Sequence, residues 1–212
     1  MGYQFIHLDS YARTGSKHAG KPRKWSAREI AAEAMRDPDA CPHVEQPQLP
    51  QVLHGCTPAE AAKLAHDWAD SSQDAKGRKL RADGLALAAG VVSLPSEQRQ
   101  DWPRFREATV AWLRQQYGER LRSVVEHTDE AHPHLHFYAV PLPGERFEVL
   151  HPGRQAAAKK AQEGAKKGAQ NTAYKEAMRG WQDDFQRAVA APFRAYAAWP
   201  RKAAADAGSL EG

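Results

Sequence analysis

Two periods of apolar spacing run along the chain. Tyr3 to Asp9 alternates loosely and carries Tyr3, Phe5 and Ile6, which predicts a first strand. Ser10 to Lys24 is rich in Gly, Ser, Lys and Arg and predicts a basic loop. Ser26 followed by Glu29 is a capping-box signature that opens a helix through Met35. Asp37 to Gly55 holds four prolines without periodicity and predicts an irregular surface crossing. Thr57-Pro58-Ala59-Glu60 opens a second helix to about Asp70, with proline at its first position. Leu85 to Leu94 predicts a buried strand, and Trp102 to Tyr117 a helix stopped near Gly118. Arg122 to Thr128 and His134 to Val140 predict a hairpin around the turn Asp129–Pro133. Gln155 to Ala169 is low in complexity, and its glycines weaken a helix. Asn171 to Ala190 predicts a better helix, with Tyr174, Met178, Trp181, Phe185 and Val189 on its apolar positions. The tail beyond Pro200 is expected to fray. No internal repeat occurs. This order predicts an α/β (α+β) fold with a central, mainly antiparallel sheet flanked by helices.

Composition narrows the class. With 212 residues, 42% apolar and 26% charged, the chain suits one globular domain with a helical appendage. The expected division is a domain over residues 1–153 and a basic helical extension over 154–212 packing on or beside it. No apolar run approaches the ~20 residues a bilayer span needs, and no secretory signal opens the chain, so a cytoplasmic protein is expected. Cys41 and Cys56 form no CxxC pair, which argues against a disulfide scaffold or a cysteine-zinc site. The net charge is +4, but it is unevenly placed: from Arg154 onward, 11 Lys/Arg face 6 Asp/Glu. A basic surplus attracts polyanions such as nucleic acid.

The ten histidines change the picture most, because four fall between His127 and His136. Alternate residues of a strand face one side, so His134 and His136 project together while Leu135 and Phe137 face the other. His127 ends the preceding strand and lies across the hairpin. Three neutral imidazoles converging there suit a divalent metal with open coordination positions. Asp129 and Glu130, in the turn, are within reach to orient a ring or accept a proton. His132 sits before Pro133, off that face, and is left out of the ligand set.

The pattern HxDExxPHxHxxxVP, met from His127 to Pro141, resembles the third motif of the Pre/Mob (MobV-type) plasmid mobilisation relaxases of the HUH endonuclease superfamily. The resemblance covers about the first 150 residues as an architecture and is sharp over the motif. It implies an HUH relaxase-like sheet and a divalent metal ion, manganese or magnesium, on His127, His134 and His136. It also implies nicking of one DNA strand at a plasmid or integrative-element transfer origin, by transesterification with covalent 5′-phosphate attachment. Glu130 becomes the acidic residue beside the nucleophile. The implied partners are single-stranded origin-of-transfer DNA and other conjugation proteins.

One departure matters. The family's first motif, HxxR, carries its proposed nucleophile, and here Trp25 stands in the histidine's place while Arg28 matches. An indole cannot attack phosphorus. The family's later NY-type motif is absent too; Glu45 to Pro50 occupies its place. The favoured reading is another nucleophile, His43 ahead of Tyr11 and His18, with Arg28 pairing a phosphate. Arg13, Lys17, Lys21, Arg23 and Lys24 are expected to hold the strand, as is the cluster Lys159, Lys160, Lys166 and Lys167; Trp25 is expected to stack a base. Two alternatives remain: a non-cleaving origin-binding module with a structural metal, and a histidine-triad nucleotide hydrolase built on His132-Pro133-His134-Leu135-His136.

Overall fold

The computed structural model describes residues 6–17, 20, 22–73, 76–94 and 96–193. Strands β1 (Ile6–Ala12), β2 (Gln51–Gly55), β3 (Leu85–Ser93), β4 (Leu121–His127) and β5 (His134–Ala139) form one sheet in the order β1-β3-β5-β4-β2. Every pairing is antiparallel. The histidine hairpin therefore occupies central positions, with β5 between β3 and β4 and the short β2 guarding β4.

Helices α1 (Ala27–Ala34) and α2 (Pro58–Ser71) pack together over one face. Both open with the expected capping boxes, Ser26 with Glu29 and Thr57 with Glu60. Alanines 61, 62, 65 and 69 let α2 lie close on the sheet. Helix α3 (Trp102–Tyr117) covers the opposite face, where Tyr117 meets Phe137 and the Trp102 indole N–H donates to Glu126. Helices α4 (Pro152–Gln162) and α5 (Lys167–Phe185) follow. The end of α5 enters the same core through Trp181 and Phe185, against Trp112.

Four expectations need correction. β1 does not stop at Asp9 but runs on to Ala12, paired with β3 as far as Leu85. The proline-rich crossing ends in β2, a five-residue, partly exposed edge strand whose apolar residues, Val52 and Leu53, are adjacent and so show no alternation. The low-complexity segment is helical: α4 fills most of it, since alanine is the best helix former, and Gly164 (φ 76°) ends it. α5 begins at Lys167 rather than Asn171, and residues 186–190 form a π turn. Cys41 and Cys56 are free thiols. The tail beyond Pro200 lies outside the described residues, as do Tyr3, Phe5, His18 and Lys21. No described helix is long and apolar enough to cross a membrane.

Candidate metal centre and nucleic-acid site

Antiparallel register puts three histidines on one face. His127 is the partner of His134, and His136 follows two residues on. Their ring centroids lie 4.9–5.1 Å from one another. All three side chains are buried. Burial, then the Arg36 charge, depresses the His127 pKa to about 3. Burial, then the other two rings, holds His136 well below its ordinary value. His134 Nδ1 lies 3.0 Å from the His132 carbonyl, leaving Nε2 toward Glu130 at 3.7 Å. His136 Nδ1 is 3.4 Å from the Tyr138 hydroxyl.

Neutral, clustered imidazoles are the donor type a divalent ion requires. Both nitrogens of His127 are buried without a hydrogen-bond partner, a cost of about 1–3 kcal/mol that a ligand would remove. His127, His134 and His136 thus fit such an ion in chemistry and lie on one face of the sheet. As the rings stand, with His127 stacked on His134 at 12°, no three His, Cys, Asp or Glu side chains among the described residues form a coordination set.

The other half of the site comes from the end of α1. Arg36 adopts φ 61°, a left-handed conformation usually left to glycine. It closes the helix as a Schellman turn: the Arg36 N–H donates to the Glu33 carbonyl and the Asp37 N–H to that of Ala32. The turn aims the buried guanidinium at the β4–β5 turn. Arg36 Nε and Nη2 grip both oxygens of Asp129 at 3.0 and 2.8 Å; Nη2 also reaches Glu130 at 2.7 Å, and Nη1 reaches Glu33 at 3.3 Å. The Gln48 N–H adds 3.0 Å to Asp129, docking the proline-rich crossing. Burial alone would raise the Asp129 carboxyl, but the Arg36 and Gln48 bonds outweigh it and hold it at about 2. Glu33 moves the other way: burial raises its pKa, offset in part by Arg36 and His43. Its second oxygen, Oε2, is buried without a partner.

His43 stands at the mouth, with its side chain 56% exposed and Nε2 at 3.8 Å from Glu33 and 3.9 Å from Glu130. Tyr11 shares the histidine face because β1 continues past Asp9; burial, then Asp9 and Glu33, lifts its phenol to about 12.

The other expected residues lie apart. Arg28 is exposed on α1, where its charge acts on His66 of α2; Arg36 is the guanidinium among the carboxylates. Arg13 is engaged by Asp70 and by the Leu80 carbonyl, so it pins β1 to α2 and the segment before β3. Arg23 pairs with Glu29, while Lys17 and Lys24 are exposed. Trp25 is 40% exposed and lines a groove of about 510 Å³ with Arg23, Glu29, Ala32 and Asp37 to Ala40. Glu33, Arg36 and Tyr138 belong to the site, but sequence alone did not pick them out. Tyr138 alone had a signal, two residues after His136 on the same strand face.

A family model of plasmid recombination enzymes (Mob/Pre) matches residues 66–191, more than half of the chain. The chain belongs to the Mob/Pre family. The family's match contains the hairpin with all three histidines, Asp129 and Glu130, and excludes α1, Trp25 and His43. Among solved structures, the Mn-bound MobM relaxase domain (MOBV; Mob_Pre) on plasmid pMV158 oriT DNA, crystallised at pH 6.5, is 15% identical. That likeness covers 76% of this chain and 86% of that one with a TM-score of 0.39, too loose to carry residues across. No curated protein matches.

Proposed function

We propose that the protein is a metal-dependent DNA relaxase that nicks one strand at a transfer origin and holds the 5′ phosphate on a histidine. Membership of the Mob/Pre family supports the class. The single observation that carries the reading is the burial of three clustered histidines beside Glu130, both ring nitrogens of His127 orphaned, on the hairpin inside the family's match. A divalent ion such as manganese or magnesium on His127, His134 and His136 would supply charge stabilisation at the scissile phosphate.

His43 is the proposed nucleophile. Glu130, or Glu33 beside it, takes the Nε2 proton of the His43 imidazolium and frees the lone pair. The N–P bond then forms and the P–O3′ bond breaks, and the carboxylic acid returns its proton to the departing 3′ oxygen. The raised pKa of Glu33 suits it to hold that proton. Arg36 is a positioning residue that aims both carboxylates. Trp25, beside its groove, is placed to stack an unpaired base. The cytoplasm is the proposed compartment, and single-stranded origin DNA, with other conjugation proteins, the proposed partners.

Labelled single-stranded origin oligonucleotide with Mn²⁺ tests this. Cleavage with a shifted protein–DNA band is expected, lost in His43→Ala and kept in Tyr11→Phe. Binding without cleavage in the unsubstituted protein would instead support a non-cleaving module.

A further inference from the structure

Between Gly153 and Trp181 no residue is buried, although the segment is almost wholly helical. α4 and the first two-thirds of α5 therefore form an arm that packs mainly on itself. Its root is fixed. The absent side chain of Gly153 lets Tyr174 and Met178 close in, Tyr174 pairs with His151 at 3.3 Å, and Arg154 donates to Ser10 of β1 at 2.8 Å. Gly168 and Gly180 face open space inside α5, and each weakens a helix by about 1 kcal/mol relative to alanine. No core offsets that loss.

The arm is strongly basic: seven Lys/Arg from Arg154 to Arg179 face only Glu163 and Glu176. The arrangement along α5 is ordered. Lys167, Asn171, Lys175 and Arg179 recur every fourth residue, all exposed, and so form one ridge about 18 Å long. An α-helix fits the roughly 12 Å major groove of B-DNA, and an amide can bond bidentately to adenine there. Single strands are held by stacking on aromatic rings, but the arm's one aromatic, Tyr174, is turned onto His151.

We infer that α5 is a recognition helix for double-stranded DNA beside the nick, with its cations on the phosphates flanking the major groove and Asn171 toward the base edges. The inference rests on the origin-processing reading for its biological setting, while its measurement uses no cleavage. Fluorescence anisotropy of the full chain with a mixed-sequence 20-bp duplex and with one of its strands, from 50 to 200 mM NaCl, decides it. In K167Q/K175Q/R179Q, with circular dichroism and Tm unchanged, duplex affinity should fall on the order of 100-fold. The salt slope should shrink by about 2.7, and single-strand affinity should hold within about threefold. Equal losses on both DNAs, or an unchanged duplex slope, overturn it. In selection from randomised duplexes, Asn171→Ala should flatten preference at one position; an unchanged preference removes Asn171 from base reading. Loss of nicking in hairpin-histidine variants leaves the duplex result intact, so the two readings fail separately.

Discussion

The histidine side of the site rides on β4 and β5, central strands paired on both edges, whereas Glu33, Arg36 and His43 hang on the end of an eight-residue helix and a proline-rich crossing. The first side lies inside the span matched by the family and the second outside it. Sheet register alone brings the three imidazoles together on one face. The other side has no ladder to hold it; the Arg36 guanidinium, bound to Asp129, Glu130 and Glu33, ties it to the hairpin together with the Gln48 N–H on Asp129. On the proposed mechanism the rigid half holds the metal and the tethered half supplies the attacking group, so the two can change independently. That mechanism is compatible with a hairpin inside the family's match beside a segment, outside it, in which Trp25 stands where the resemblance places the nucleophile.

The largest effect should come from the rigid half. His134→Ala should lower nicking on the order of 10³-fold. Manganese at about 100 times its Kd should raise the Tm of the unsubstituted protein by roughly 5–10 °C, since binding adds about 2.7 kcal/mol. His134→Ala should abolish that rise in a thermal-shift assay. An undiminished rise would place the ion elsewhere and break the comparison at its root.

Arg36→Met probes the tether. It strands Asp129 and Glu130 and should cost about 3–5 kcal/mol in urea denaturation. The manganese-induced rise in Tm should survive, because the histidines owe their positions to the strands. If that rise disappears with Arg36, the two halves are one cooperative unit. Arg36→Lys, which cannot make the bidentate grip on Asp129, should recover only part of the loss.

Legibility followed the same boundary. Alternation exposed the hairpin, and the capping residues Ser26 and Thr57 exposed both helix starts, because these signals are local. Arg36 was hidden since a left-handed turn filled by arginine has no sequence mark, and its partners lie 93 and 94 residues away. Glu33 reads as an ordinary helix carboxylate until the fold buries it. β2 escaped because an edge strand needs only one paired side and shows little apolar alternation.

Trp25→Ala should act more gently. The indole is 40% exposed, so unfolding should barely change, while single-stranded DNA binding by filter or anisotropy assay weakens by about 1–3 kcal/mol. Unchanged binding would make the groove a surface feature and leave the tethered half with no base contact.

Acid should separate two of the three carboxylates on Arg36, Asp129 and Glu33, with the smallest effect. Asp129 has a folded pKa of about 2, below its ordinary 3.8; its stabilisation is present above 3.8 and lost as pH falls toward 2. Glu33 has a folded pKa raised above 4.5, so its contribution is present below 4.5 and lost as pH rises through the folded value. Urea midpoints from pH 2 to 7 should therefore show a lower limb rising with pH, to which Asp129 contributes, and an upper limb in which Glu33 opposes the rise imposed by the buried, pKa-lowered His127, His136 and His151. Glu33→Gln should steepen the upper limb and leave the lower one, since Glu33 takes up a proton on folding above pH 4.5. Arg36→Met should weaken the lower limb, since its bonds outweigh the burial that would otherwise raise Asp129. A lower limb unchanged in Arg36→Met would mean that Gln48 and the turn hold Asp129 without the guanidinium, and the second half would then be docked by backbone rather than by charge.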